Sequence, residues 1–253
     1  MLAQSVAAEF GGKVRFVSEN YGGSQIAKKF GVTRYPAIFV DDVLVATPKD
    51  FGFYGKGEGA GDGRYTPWKS AASHERFRAD LSKVIDLLLA GRREAARQAA
   101  GPLPSDGKEV AGLPAVTITD LEGRRLTREE LAGRVVLVEL WATWCPPCRG
   151  TLGWLGQIKK KYGDRLAVVA IAVDSDEADV RRIAKDLGLP LVWSMGTAEV
   201  VRAFGDVTAV PTLLLYDAAG KAAGSFYGAP PTLHADAEAK LASVAGGSSG
   251  ASR

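Results

Sequence analysis

The chain has few of the residues that build cross-linked or metal-holding proteins, because its 253 residues include only two cysteines and two histidines. The cysteines stand three positions apart, which excludes a scaffold stapled by several disulfides. A structural zinc site usually needs four ligands, and there is no second cysteine pair to supply them. All of the thiol chemistry is therefore concentrated at Cys145 and Cys148.

Long apolar runs and strong charge are also missing. No stretch of 18 apolar residues occurs, so no transmembrane helix is expected in this sequence. The first residues lack the basic start and apolar core of a signal peptide, and none is expected there. The formal net charge is only +3, without a stripe of arginine and lysine among aromatic residues, so nucleic acid is not an expected partner.

Composition divides the chain into parts. Residues 91–112 are rich in Ala, Gly, Pro and charge, which predicts a linker between a domain at 1–90 and a second at 113–245, with a flexible tail at 246–253. In the second domain strands alternate with helices, which predicts an α/β fold with a central sheet flanked by helices. The strands are predicted at 115–119, 135–141, 166–173, 191–194, 212–216 and 222–227. The helices are predicted at 127–132, 146–162, 176–187, 198–204 and 233–244.

The first domain follows a shorter version of the same pattern. Its predicted helices are 2–10, 24–30 and 74–89, and its predicted strands are 14–18 and 37–40. Both histidines, His74 and His234, are predicted to have structural roles. Neither domain shows a pattern that requires an organic cofactor or a metal.

The sequence Cys145-Pro146-Pro147-Cys148 stands at the predicted start of a helix, directly after an apolar strand. Unpaired N–H groups and the helix dipole at such a start favour a thiolate, which is the attacking species in disulfide exchange. Cys148 lies one turn later, within reach of a mixed disulfide on Cys145. The pattern therefore predicts that Cys145 attacks and Cys148 resolves, with structural zinc and an inert disulfide as the alternatives.

The wider sequence resembles the thioredoxin superfamily. VVLVELWATWCPPCRGTLGWL resembles its active-site strand, turn and helix, and AVPTLLLYDAAGK resembles the loop and hairpin that follow. Between them, VVAIAVDSDEADVRRIAKDLGLPLVWSM resembles the inserted unit of the TlpA/ResA-like disulfide reductases. This resemblance covers residues 112–245 and implies a thioredoxin-like fold. Residues 1–54 resemble only the later part of a thioredoxin, which predicts an incomplete thioredoxin-like domain without the cysteine turn.

The resemblance assigns roles to residues outside the cysteine pair. Pro211 is implied to be a cis-proline facing the disulfide, and the backbone of Val210 is implied to pair with an extended substrate segment. A trans turn proline is the alternative. Trp144, together with Pro146 and Pro147, is expected to form the docking surface around the reactive sulfur, with plain packing as the alternative for Trp144.

Glu139 is a carboxylate inside an otherwise apolar strand, where burial is costly. It stands six positions before Cys145, where thioredoxins place a buried acid near the resolving cysteine. We expect Glu139 to have a raised pKa and to exchange a proton with Cys148, either directly or through water. An outward-facing strand residue is the alternative.

The implied activity is that of a protein disulfide oxidoreductase of TlpA/ResA type. Its partners are a protein disulfide substrate and an upstream thiol electron donor, and no cofactor is implied. Such enzymes commonly act outside the cytoplasmic membrane of bacteria, so the resemblance implies a periplasmic or extracytoplasmic location. A peroxiredoxin-like peroxidase and a non-catalytic client-binding or chaperone module are the two alternative functions.

Overall fold

The protein is described by a computed structural model in two parts. The chain divides into two compact units, Met1–Gly107 and Lys108–Arg253. The predicted domain boundaries at 90 and 113 stay a prediction, and the predicted flexible tail lies outside the described residues from position 247 onward. The described residues are 2–19, 24–30, 32, 36–52, 63–101, 112–205, 207 and 209–246.

The described part of the first unit contains helices and one short hairpin. Its strands pair antiparallel across a turn at Asp41, whose φ is 56°. Two helices begin after serine caps, because the Ser24 and Ser70 hydroxyls accept hydrogen bonds from the backbone N–H groups of Ala27 and Ser73. The elements are α1 (Leu2–Glu9), α2 (Gln25–Lys29), β1 (Ile38–Val40), β2 (Val43–Ala46), α3 (Ala71–Leu89) and α4 (Arg93–Ala100).

Several expectations for this unit need correction. No strand forms at 14–18, although side chains there alternate in burial, because the segment finds no partner strand among the described residues. Strand β2 was not predicted, and α3 begins earlier than expected because Ser70 caps it. Residues 93–100, within the predicted linker, form α4 with Ala96 buried. The incomplete thioredoxin-like domain stays a prediction.

Arg64 ties several segments of the first unit together. Its Nε donates to Asp50 Oδ1 at 2.7 Å, and Nη1 donates to the carbonyl of Ala100 at 3.0 Å. Its Nη2 donates to the carbonyl of Val45 on β2. Asp50 is only 4% exposed, and its other oxygen accepts from the N–H of Thr47 at 2.7 Å. The guanidinium therefore compensates a buried carboxylate while it satisfies two carbonyl groups.

Arg64→Ala is expected to lower the free energy of unfolding of the first unit by about 2 kcal/mol, because it leaves the Asp50 carboxylate without its cation. The measurement is amide hydrogen exchange of α3 and α4 in the full chain. Arg97→Ala is the control: its pair with Asp42, at 3.1 Å, is exposed and should contribute less than about 1 kcal/mol. Equal effects of the two substitutions would contradict the assignment.

The second unit is built on a five-stranded sheet. Strands β5 and β6 lie parallel, as do β6 and β7, whereas β8 is antiparallel to both β5 and β9. The spatial order is β7, β6, β5, β8, β9, and every residue of β5, β6 and β8 is buried, so helices cover both faces. The predicted thioredoxin-like α/β fold is confirmed for this unit. In chain order its elements are β3 (Ile118–Thr119), β4 (Arg125–Leu126), α5 (Arg128–Leu131), β5 (Val135–Trp141), α6 (Pro146–Tyr162), β6 (Leu166–Ala172), α7 (Glu177–Leu187), β7 (Val192–Met195), α8 (Ala198–Ala203), β8 (Thr212–Tyr216), β9 (Ala222–Tyr227) and α9 (Leu233–Gly246).

The segment that precedes β5 differs from the expectation. The strand predicted at 115–119 is reduced to β3, which pairs antiparallel with β4, a strand that was not predicted. The turn between them is organised by Asp120, whose Oδ1 accepts from the N–H groups of Glu122 and Arg124 at 3.0 and 2.8 Å. Such turns depend on single polar side chains that bond the nearby backbone, and they leave no hydrophobic periodicity in the sequence.

Helices α6 and α7 follow their predicted bounds closely. The first two positions of α6 are prolines, where a missing N–H costs little, and the helix ends at Gly163 with φ 58°. Helix α7 begins after Asp176, whose carboxylate accepts from the N–H of Ala178 at 2.8 Å, and it ends at Gly188 in the left-handed region. These helices therefore start and stop where local sequence signals place them.

One face of the sheet is covered by α6 and α9. Val135 and Leu137 on β5 pack in one cluster with Leu155 of α6 and Leu241 of α9. Side chains alternate between the two faces along a strand. Glu139, the next odd-numbered residue of β5, therefore points toward the same helical layer that carries the cysteine pair.

Candidate active site

The two cysteines form a disulfide at the start of α6. Cys145 is the N-cap of the helix and Cys148 lies in its first turn, with their Sγ atoms bonded at 2.07 Å and their Cα atoms 5.4 Å apart. Cys145 is 4% exposed and Cys148 is fully buried. Cys145 is therefore the less buried of the two, and the attacking and resolving roles of the pair stay a prediction.

The first turn of α6 offers one nearby N–H group to the outer sulfur. Pro146 and Pro147 have no backbone N–H, so the first amide after Cys145 is that of Cys148. This amide donates to Cys145 Sγ at 3.3 Å. Both prolines are exposed, as the predicted docking surface requires.

Trp144 is the large apolar residue beside the disulfide, and it is 53% exposed. Its indole Nε1 donates to the carbonyl of Asp174 at 2.9 Å, and the N–H of Thr143 donates to Ser175 Oγ at 2.9 Å. The loop after β6 thus holds the turn that carries the cysteines. Sequence reasoning missed Asp174 and Ser175, although the carboxyl ends of adjacent parallel strands always meet at one sheet edge.

The Val210–Pro211 peptide bond is cis, as predicted. Pro211 is buried and Val210 partly exposed, and β8 begins directly after them. The antiparallel register sets Thr212 opposite Leu140, so Pro211 lies at the end of the sheet from which the cysteine turn leaves β5. The structure therefore brings the cis-proline and the disulfide to the same edge.

Glu139 lies on β5 between Ala170 of β6 and Leu213 of β8, and it is fully buried. Neither carboxyl oxygen has a hydrogen-bond partner within the described part of the chain. Burial raises the pKa of Glu139 well above its usual value, because the charged form loses its hydration without compensation. The predicted direction of the pKa shift is confirmed, and the outward-facing alternative is wrong.

A family model described as Redoxin matches residues 107–241, which is more than half of the chain. The match includes both cysteines, Glu139 and Pro211. The chain belongs to the redoxin family. The resemblance to thioredoxin-superfamily proteins inferred from the sequence is thereby confirmed.

The redoxin region also has curated relatives. It is 34% identical over 119 residues to the thiol-disulfide oxidoreductase ResA of Bacillus thuringiensis subsp. konkukian (strain 97-27), covering 46% of this chain and 65% of the relative. It is 31% identical over 112 residues to the thioredoxin-like protein YneN of Bacillus subtilis (strain 168), covering 42% and 64%. The chain therefore spans less than two thirds of the length of either relative.

A solved structure is similar to the same redoxin region. It is the crystal structure of a thiol:disulfide interchange protein, thioredoxin family protein, from Chlorobium tepidum TLS. The sequence identity is 28% and the TM-score 0.49, over 56% of this chain and 99% of that one.

Two further observations concern the described residues. None of their helices has both the length and the apolar character needed to cross a membrane. They also contain no group of three or more His, Cys, Asp or Glu side chains placed to hold a metal ion. The expectation that the redoxin region needs no metal or cofactor stays a prediction.

Proposed function

We propose that this protein is a thiol–disulfide oxidoreductase that exchanges protein disulfides through Cys145 and Cys148. The observation that carries the proposal is the disulfide at the start of α6, in which Cys148 is fully buried and Cys145, 4% exposed, lies next to the exposed Trp144 and Pro146. A structural cross-link between residues three apart in one helical turn would add little, since its closed loop is very short. The ResA relatives, named thiol-disulfide oxidoreductases, support the same activity.

The proposed reduction proceeds in two exchange steps. The Cys145 thiolate attacks one sulfur of the substrate disulfide, forms a mixed disulfide and releases the other sulfur as a thiolate. Cys148, as a thiolate, then attacks Cys145 Sγ, which releases the second substrate sulfur and forms the Cys145–Cys148 disulfide. Two electrons pass to the substrate. An upstream thiol electron donor reverses these steps and restores the dithiol.

The substrate is proposed to dock around the outer sulfur. Trp144, Pro146 and Pro147 offer exposed apolar surface beside Cys145. Val210 is a partly exposed residue at the same sheet edge, and its backbone is proposed to pair with an extended segment of the substrate. We further propose an extracytoplasmic location, where TlpA/ResA-like proteins commonly act.

Glu139 is proposed to move the proton of Cys148. In the oxidised protein burial raises the pKa of its carboxyl, which favours the neutral form. When Cys148 must become a thiolate to resolve the mixed disulfide, the carboxylate form of Glu139 takes its proton, and the proton returns on re-reduction. The absence of competing hydrogen bonds within the described residues leaves both oxygens available for this exchange.

Glu139→Gln is expected to slow the resolution of the mixed disulfide by about 10- to 100-fold, at or below the low end of general acid–base effects. Stopped-flow resolution rates across pH measure it, and the variant should lose an inflection that the wild type shows. Glu199→Gln, at an exposed position on α8, is the control. Resolution rates identical to wild type at every pH would contradict the proton transfer.

The activity test uses the reduced full chain and a disulfide-bonded protein such as insulin. Reduction of the substrate should require Cys145 and should stop in Cys145→Ser. Peroxide consumption without reduction of a protein disulfide would contradict disulfide exchange and indicate a peroxidase. If the wild type shows no disulfide exchange, and client binding persists when both cysteines are replaced by Ser, the protein is instead a chaperone module.

A further inference from the structure

A second group of polar side chains lies beneath the first turn of α6. Thr151 stands one turn after Cys148 and is 1% exposed. Its Oγ1 donates to the carbonyl of Pro147 at 3.3 Å, and it also lies 3.3 Å from Nε2 of His234 on α9. His234 was predicted to have a structural role, and no pattern in the sequence singles out Thr151.

The carbonyl that Thr151 contacts belongs to the peptide unit next to the reactive sulfur. The C=O of Pro147 and the N–H of Cys148 are the two ends of that peptide, and the N–H donates to Cys145 Sγ at 3.3 Å. Both residues between the cysteines are prolines without an N–H, so the turn has no other amide to aim at Cys145. The hydrogen bonds therefore run continuously from His234 to Cys145.

We propose that His234 and Thr151 are positioning residues that stabilise the Cys145 thiolate through this chain of hydrogen bonds. A hydrogen bond to a peptide carbonyl polarises the whole peptide, so its N–H becomes a stronger donor. A stronger donor at Cys148 N–H favours the charged form of the Cys145 sulfur. The side chains act on the sulfur without touching it.

The single hydroxyl proton of Thr151 sets the donor-to-acceptor direction of the hydrogen-bond chain. Thr151 has one O–H proton, and donating it to Pro147 leaves its oxygen as the acceptor for His234. The proposed direction therefore requires the neutral His234 ring to carry its proton on Nε2. The ring is held in place by Trp154, against which it stacks with centroids 4.8 Å apart and an interplanar angle of 5°. Burial lowers the pKa of His234, which favours this neutral form.

Other titratable groups lie near the two ends of the hydrogen-bond chain, at the cysteine turn and at His234. Glu139 lies on the face of β5 that α6 covers, and the carbonyl of Asp174, in the loop after β6, accepts a hydrogen bond from Trp144 of the cysteine turn. Beside the His234 ring, Glu238 of α9 pairs with Lys161 of α6 at 2.5 Å. The variants below keep all four, so a change in the pKa of Cys145 reports the hydrogen-bond chain.

The test is the alkylation rate of Cys145 by iodoacetamide in the reduced full chain, measured across pH. Thr151→Val keeps the branched shape and removes the hydroxyl, and it should raise the pKa of Cys145 and slow alkylation near neutral pH about two- to threefold. The factor is modest because polarisation through one bond strengthens the next by roughly 10–30%. His234→Phe, which keeps a ring on Trp154, should act in the same direction.

The double variant and a control sharpen the outcome. Because the two residues act in series, Thr151→Val with His234→Phe should match Thr151→Val alone. Ser243→Ala, which removes another hydroxyl-to-carbonyl bond in α9, should leave the rate unchanged. A wild-type Cys145 pKa in both single variants, or fully additive effects, would overturn the inference. If Thr151→Val does not fold, a wild-type pKa in His234→Phe overturns it.

This inference rests on the proposed function only in taking Cys145 as the attacking sulfur. Alkylation needs no protein substrate, so the two failures are distinguishable. An unchanged Cys145 pKa in the variants, together with intact disulfide reduction, would contradict the role of the hydrogen-bond chain and support the proposed function. A shifted Cys145 pKa in a protein that reduces no disulfide would support the role of the hydrogen-bond chain and contradict the proposed function.

Discussion

Cys148→Ser is expected to accumulate mixed disulfides on Cys145 with the natural substrate of the protein. The variant retains the outer sulfur and its docking surface, but a serine hydroxyl cannot attack the mixed disulfide. The adduct should then decay only by uncatalysed exchange, over minutes to hours. Mass spectrometry of non-reduced adducts, after acid quenching of free thiols, measures both the trapped partner and its attachment site.

The matched control for trapping is Cys145→Ser. Because Cys148 is fully buried whereas Cys145 retains 4% exposure beside the exposed Trp144, this variant should form almost no adducts. Adducts in equal yield on Cys148 would reverse the assigned roles of the two sulfurs. No adducts in either variant, with a partner-containing extract and a reduced protein, would count against disulfide exchange as the function.

The second large effect concerns stability: Glu139→Gln is expected to gain stability relative to wild type as the pH rises. Burial raises the folded pKa of Glu139 well above 4.5, the value it keeps when unfolded. Between these two pKa values the native state holds a proton that the unfolded state has released. Wild-type stability therefore falls with rising pH, by about 1.4 kcal/mol per pH unit while the folded carboxyl stays protonated.

The stability of the variant relative to wild type should rise with pH above the unfolded pKa, and it should stop changing with pH below that value, where both states are protonated. Urea unfolding followed by tryptophan fluorescence measures it, since four of the five tryptophans lie in the second unit. Keeping the protein oxidised removes cysteine titration from the comparison. Glu122→Gln, whose side chain is 66% exposed, should run parallel to wild type. A pH-independent difference for Glu139→Gln would contradict the buried, neutral carboxyl.

The parts of the fold that were predicted correctly have strong local signals. Strand β5 is an apolar run, α6 begins with two prolines, and α7 lies between an aspartate cap and a left-handed glycine. The segment 14–18 has a strand-like alternation but no partner among the described residues, and a strand is stable only when its backbone groups are paired. Local patterns therefore predicted elements well and strand pairing less well.

For the candidate site, the sequence by itself determined the chemistry: two cysteines one helical turn apart, a carboxylate within an apolar strand, and a proline before β8. Only the tertiary structure decided what surrounds them. It showed that both Glu139 oxygens lack partners within the described residues, that the loop after β6 holds Trp144, and that His234 meets Thr151 across 83 positions. The physical reason is that residue type and short-range spacing set intrinsic reactivity, whereas desolvation and hydrogen bonding depend on packing between segments far apart in the chain.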